Sequence, residues 1–222
     1  MGESRQNPEQ LLKSLQTDEE NRNKGHLKIF FGYAAGVGKT YAMLEAAHMA
    51  KQQGIDVVAG YVEPHARPKT AALLNGLEVL PTREVFYNGM ILDEFDIGMA
   101  LKRKPQLILV DELAHTNAEG CRHAKRYQDI KELLNAGIDV YTTVNVQHIE
   151  SLCDTVASIT EIVVRERIPD SIFDNADQVE LIDIEPQDLI NRLNTGNVYR
   201  QTQAKQAVEN FFTIENLSLI HI

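Results

Sequence analysis

The sequence has only two cysteines, Cys121 and Cys153, and they are not spaced as a CxxC pair. That argues against a disulfide framework and a zinc site, and both read as reduced thiols of a cytoplasmic protein. Long apolar runs are missing too. Leu107-Ile108-Leu109-Val110 is strand-sized, against the roughly 18 residues needed to cross a bilayer, so no direct membrane insertion by this chain is expected. The first 25 residues lack the apolar stretch of a secretory signal. Positive charge is also in short supply. Lys and Arg number 22 against 32 Asp and Glu, and the net charge of −10 disfavours general binding to nucleic acid or to an anionic membrane surface.

What is present is an alternation. Residues 1–25 are polar apart from Leu11, Leu12 and Leu15 and are expected to form a flexible N-terminal arm. From residue 26 to 215, apolar β-type runs alternate with segments of helical period. This is the signature of βαβ units, and it predicts one α/β domain: a P-loop NTPase-like, mostly parallel sheet with helices on both faces and a C-terminal helical extension. Strands are expected at 27–31, 55–62, 77–80, 85–87, 90–92, 107–110, 138–143, 161–165 and 179–184. Helices are expected at 39–53, 67–75, 93–104, 126–136 and 146–159, then from Pro186 to a stop at Gly196, and at 201–212. Residues 216–222 do not continue the helical pattern and read as a truncated tail.

The chemistry-bearing motif lies between the first strand and the first helix. Gly36-Val37-Gly38-Lys39-Thr40 matches the second half of a P-loop, glycine-x₄-Gly-Lys-Ser/Thr. Backbone N–H groups of such a loop converge on an anion at the helix N-terminus. Lys39 is then expected to reach the β- and γ-phosphates of ATP, and the Thr40 hydroxyl to join the shell of Mg²⁺. Glycines are required where the loop needs positive φ. The spacing departs from the rule in one place: the upstream glycine is Gly32, one residue early, and Tyr33 occupies the expected first position.

The strand Leu107–Val110 ends in Asp111-Glu112. Asp111 fits the carboxylate that holds the magnesium shell in P-loop proteins, with a loop or helix-cap carboxylate as the plainer alternative. Glu112 is a candidate catalytic base for hydrolysis, or else an ordinary glutamate at a strand end. Other polar residues fall at the same edge of the expected sheet, where doubly wound folds bind ligands. Glu63 and Arg67 either contact a ligand or pair with each other. His115 and Asn117 either sense a γ-phosphate or hold their loop together, and Thr143, Asn145 and Gln147 read as nucleotide sensors or as turn and cap residues. Arg122-His123-Ala124-Lys125-Arg126 is the one basic cluster; it reads as an arginine finger across a dimer, a lid, or a solvated helix start. Because basic residues are unfavourable at a helix N-terminus, an anion nearby is expected.

The stretches GYAAGVGKTYAML, GYVEPHARPKTAALLNGLEVLP, LILVDELAHTN, CRHAKRYQDIKELLNAGIDVYTTVNVQHIESL and VELIDIEPQDLINRLNTGNVY closely resemble the N-terminal cytoplasmic domain of the KdpD family of membrane sensor histidine kinases, which regulate the Kdp potassium transporter. The resemblance covers about residues 25–212. It implies an ATP-binding P-loop module that modulates the balance of kinase and phosphatase output in a two-component system. Gly36, Gly38, Lys39 and Thr40 would take the nucleotide and Asp111 the metal. It also implies partners: the remaining domains of a longer, membrane-bound sensor kinase, with a homodimer left open. None of the seven histidines sits in an H-box, so autophosphorylation of that type is not expected from these residues. The competing reading is a free-standing P-loop NTPase or small-molecule phosphotransferase, although no acceptor site stands out.

Overall fold

A computed structural model describes residues 24–63, 67–87, 89–194 and 213–221. The described elements begin with β1 (Leu27–Gly32), α1 (Lys39–Gln52), β2 (Val57–Tyr61), α2 (Pro68–Ala72), β3 (Glu78–Val79), β4 (Arg83–Tyr87) and β5 (Met90–Glu94). They continue with α3 (Ile97–Arg103), β6 (Leu107–Val110), α4 (Arg126–Asn135), β7 (Asp139–Asn145), α5 (Cys153–Thr160), α6 (Asp170–Asp174), β8 (Gln178–Leu181), α7 (Pro186–Asn194) and α8 (Ile214–His221). Six strands form one sheet in the order β3-β2-β6-β7-β1-β8, and every recorded pairing within it is parallel. This is the expected α/β architecture.

Burial follows from the period of two along each strand. Ile29, Val58, Ile108 and Val110 face the side packed by Ile97 and Ala100 of α3 and Ile130 and Leu133 of α4. Phe30, Val57, Ala59, Leu107 and Leu109 face the opposite side, against Met43, Leu44 and Ala47 of α1. Strands covered on both faces read as continuous apolar runs, which is why Leu107–Val110 is buried throughout. Because the strands run in parallel, the loops after β1, β2, β6 and β7 all emerge at one edge. That edge carries the site.

Several boundaries differ from expectation for identifiable reasons. The helix expected at 93–104 begins at Ile97, because Asp93 and Glu94 pair with Glu84 and Arg83 in the antiparallel β4–β5 ladder. Asp96 then caps it, accepting from the Met99 amide at 3.0 Å. The helix expected at 146–159 is broken into two 3₁₀ turns, Val146–His148 and Glu150–Leu152, followed by α5. Ile149 is extended there because it bridges Ile168, with Ile168 N–H donating to His148 O at 2.8 Å and Glu150 N–H to Ile168 O at 3.1 Å. Residues 161–165 carry the β-branched run Ile162-Val163-Val164 but form no strand, leaving Val163 at the surface. The tail expected to leave the helical pattern is α8, whose Leu217 is fully buried. The arm at 1–23, Pro64–Ala66 and the expected helix at 201–212 lie outside the described residues.

Candidate phosphate-binding site

β1 delivers the chain into a loop whose shape depends on glycine. Gly36 has φ 92° and Gly38 φ 116°, left-handed values that L side chains rarely adopt. Gly38 is also the N-cap of α1. It has no side chain with which to cap the first turn, and no acidic residue lies in that turn. The positive end of a 14-residue helix therefore faces the loop without a protein carboxylate on its own first turn. Gly32 is needed for a different reason: a Cβ there would lie 2.7 Å from Val37 Cγ2 and 3.0 Å from Ile182 O. The displaced glycine thus lets the loop fold back over the end of β1. Tyr33, the off-pattern residue, is buried beside Leu189 and Leu193, and its hydroxyl donates to Ile184 O at 2.9 Å.

Lys39 is buried, and its Nζ donates to Ala34 O within the same loop at 2.9 Å. Burial pushes its pKa down to about 8; Asp111 opposes that shift and Arg67 adds to it. Thr40 Oγ1 donates to Asp111 Oδ2 at 3.0 Å. Asp111 Oδ1 accepts from the Thr143 hydroxyl and, at 3.0 Å, from the Glu112 amide. Burial nevertheless raises the Asp111 carboxyl above its ordinary range, with Glu112 adding to the rise and these hydrogen bonds opposing it.

Glu112 has φ 61°, unusual for a side chain of its size, which turns the backbone sharply just past Asp111. It lines a cleft of about 150 Å³ together with Gly36, Lys39, Arg67, Asn145 and His148. Asn145 Oδ1 is buried there with no hydrogen-bond partner among the described residues. His148 Nδ1 donates to Glu166 O at 2.8 Å, and burial lowers its pKa.

The structure therefore brings Gly36, Val37, Gly38, Lys39, Thr40, Asp111 and Glu112 to one edge and adds His148 and Glu166, which local sequence pattern does not mark. Asn117 is not part of the cleft. Its carboxamide holds its own loop, donating to His123 O at 3.0 Å and Asp129 Oδ2 at 2.6 Å. His115 lines the cleft, but its Nε2 lies 3.2 Å from both oxygens of Glu94. Gln147 Oε1 is buried without a partner among the described residues, while Thr143 is committed to Asp111.

Of the basic cluster, Arg126 departs from the expected finger, lid or solvated helix start. Arg126 is fully buried, donating to Asp111 O at 3.2 Å and Glu94 Oε2 at 3.0 Å, with its guanidinium 4.2 Å from the Tyr61 ring centroid. Arg122 pairs with Glu132, and His123 with Asp129 at 2.8 Å. The anion demanded by basic residues at this helix start belongs to the protein itself. A buried guanidinium behind Asp111 is neither a lid nor a finger.

Residues 23–221 match the family model described as "KdpD: Osmosensitive K+ channel His kinase sensor domain". The chain belongs to this KdpD sensor-domain family. It is 61% identical over 213 residues to the sensor protein KdpD of Clostridium acetobutylicum and 55% identical over 213 residues to that of Escherichia coli K12, each alignment covering 96% of the chain. A putative sensor protein KdpD of Synechocystis is 52% identical over 194 residues, 87% of the chain and 52% of that relative. The chain spans only about a quarter of the first two relatives, 24% and 23% of their lengths. Among the described residues, no helix is long and apolar enough to cross a membrane.

Proposed function

We propose that this KdpD sensor domain binds Mg-ATP and uses its occupancy to modulate the kinase and phosphatase output of a sensor histidine kinase that controls potassium uptake. The observation that carries the reading is the pairing of a glycine-shaped loop at an uncapped helix N-terminus with a buried Thr40–Asp111 hydrogen bond. Mg²⁺ is usually held by one or two carboxylates plus substrate phosphates, and Thr40 and Asp111 supply that share of its shell. Asp111, buried with a raised pKa, is the kind of carboxylate that a divalent cation would restore to its ionised form.

On this reading the Gly36–Thr40 amides hold the β-phosphate. Lys39 gives up its bond to Ala34 O and spans the terminal phosphates. Mg²⁺ supplies charge neutralisation when bound. The Asn145 carboxamide oxygen meets a donor at the γ-phosphate edge, such as a water. The domain is a control input first and a hydrolase second.

One observation favours a second reading, an NTPase or phosphotransferase. Glu112 lines the cleft in a sparsely populated backbone conformation, and as a carboxylate there it would orient an attacking water. Binding and turnover by the 222-residue chain, measured beside Glu112→Gln, separate the two. Saturable binding with turnover near background supports the control input. Fast turnover that Glu112→Gln abolishes supports the enzyme.

A further inference from the structure

Arg192 stands on α7, and its Nη1 lies 3.4 Å from Gly36 O and 3.3 Å from Val37 O. In a trans peptide the carbonyl of one residue and the N–H of the next point in opposite directions. A donor fastened to the Gly36 and Val37 carbonyls therefore turns the Val37 and Gly38 amides to the far side of the loop. Those are two of the donors that an anion in the concavity needs.

The same side of the loop is anchored by packing. Tyr33, Ala34 and Val37 share a buried cluster with Leu189 and Leu193 of α7 and Leu217 of α8. A phosphate that draws the amides inward must pull on the carbonyls behind them, and so on the helices that hold those carbonyls.

We infer that Arg192 is a positioning residue for the phosphate loop, and that through it α7 and α8 respond to whether the loop holds phosphate. This rests on the nucleotide reading above and adds to it the element that reports occupancy.

The test titrates the 222-residue chain and its Arg192→Ala and Arg192→Lys variants with tripolyphosphate and with Mg-ATP. Amide hydrogen exchange of residues 186–194 and 214–221 is followed with and without nucleotide, and urea midpoints are taken without ligand. Arg192→Ala should weaken both ligands by a similar factor, about tenfold, as for loss of one charge-assisted contact. Arg192→Lys should restore most of that loss, and the urea midpoint should not move. Nucleotide should slow exchange in both helices of the parent chain but not in Arg192→Ala.

Unchanged affinity in Arg192→Ala overturns the inference. So does parent-chain exchange indifferent to nucleotide, or an affinity loss that tracks a fallen urea midpoint and is not rescued by Lys. A parent chain that binds neither ligand overturns the nucleotide reading itself and this inference with it, and that failure is recognised because it appears before any substitution.

Discussion

Thr40 and Asp111, 71 residues apart in sequence, stand 3.0 Å apart at the sheet edge, with the Thr40 hydroxyl donating to Asp111 Oδ2. The bond ties the first turn of α1 to the end of β6. It also places in contact the two side chains expected to share a magnesium shell. The carboxylate at its centre is stabilised poorly by the protein alone, because burial outweighs its hydrogen bonds.

Asp111→Asn should therefore separate stability from binding. The folded-state pKa of Asp111 lies above its unfolded value, so its contribution to stability is fully present in acid, below the unfolded pKa. That contribution is lost as pH rises through the folded value. At neutral pH the variant should melt, without nucleotide, at the parent temperature or above it, while magnesium no longer strengthens ATP binding. Thermal scans with and without Mg-ATP check both halves.

Lys39 sets a pH dependence of binding where Asp111 sets one of stability. Its folded pKa of about 8 means that the free protein loses this charge as pH rises through 8, whereas a bound phosphate would hold the proton on. ATP affinity should thus fall above pH 8, approaching tenfold per pH unit. Phosphate ionisation does not contribute, because its second pKa is near about 6. Titrations between pH 7 and 9.5 should show the slope in the parent chain and its loss in Lys39→Ala.

Gly32→Ala probes the displaced glycine. The added methyl would meet Val37 Cγ2 and the Ile182 carbonyl inside the loop's own footprint. Overpacking of this kind costs about 1–3 kcal/mol, and here part of the strain falls on the residues that shape the candidate phosphate site. Urea unfolding should show the lower stability, and ATP titration a parallel loss of affinity.

Arg126→Ala should destabilise the fold by about 3–5 kcal/mol, because it strands the Glu94 carboxylate in the interior. Burial alone would raise the Glu94 carboxyl, but hydrogen bonds from His115 and the Ala118 amide, with Arg126 alongside, hold it below its usual range. Its stabilisation is accordingly present above the unfolded pKa and is lost as pH falls through the folded value. Denaturant titrations should show a cost in Arg126→Ala that the double variant Arg126→Met, Glu94→Leu largely recovers.

The elements legible in the sequence are those written locally. The face Met43, Leu44, Ala47 and Ala50 of α1, the apolar run of β6 and the glycines before Lys39 each declare themselves within a few residues. Arg126 does not, because its burial depends on Glu94, 32 residues earlier, and on the ring of Tyr61. Arg192 is equally silent in sequence, sitting on the solvent side of an amphipathic helix; the docking of α7 behind the loop brings it to the Gly36 and Val37 carbonyls. The 3₁₀ break at Ile149 likewise depends on a bridge to Ile168 that no helical period foretells.

The central claim, that residues 36–40 hold the phosphates of ATP, is tested most directly by calorimetric titration of the parent chain and Lys39→Ala with Mg-ATP at pH 7. A charge-assisted hydrogen bond contributes about 1.5–3 kcal/mol, roughly ten- to hundredfold in affinity. Saturable one-to-one binding by the parent chain is expected, competed by tripolyphosphate and weakened by that factor in Lys39→Ala. A parent chain that binds no nucleotide, or a Lys39→Ala variant that binds as tightly as the parent, would contradict it.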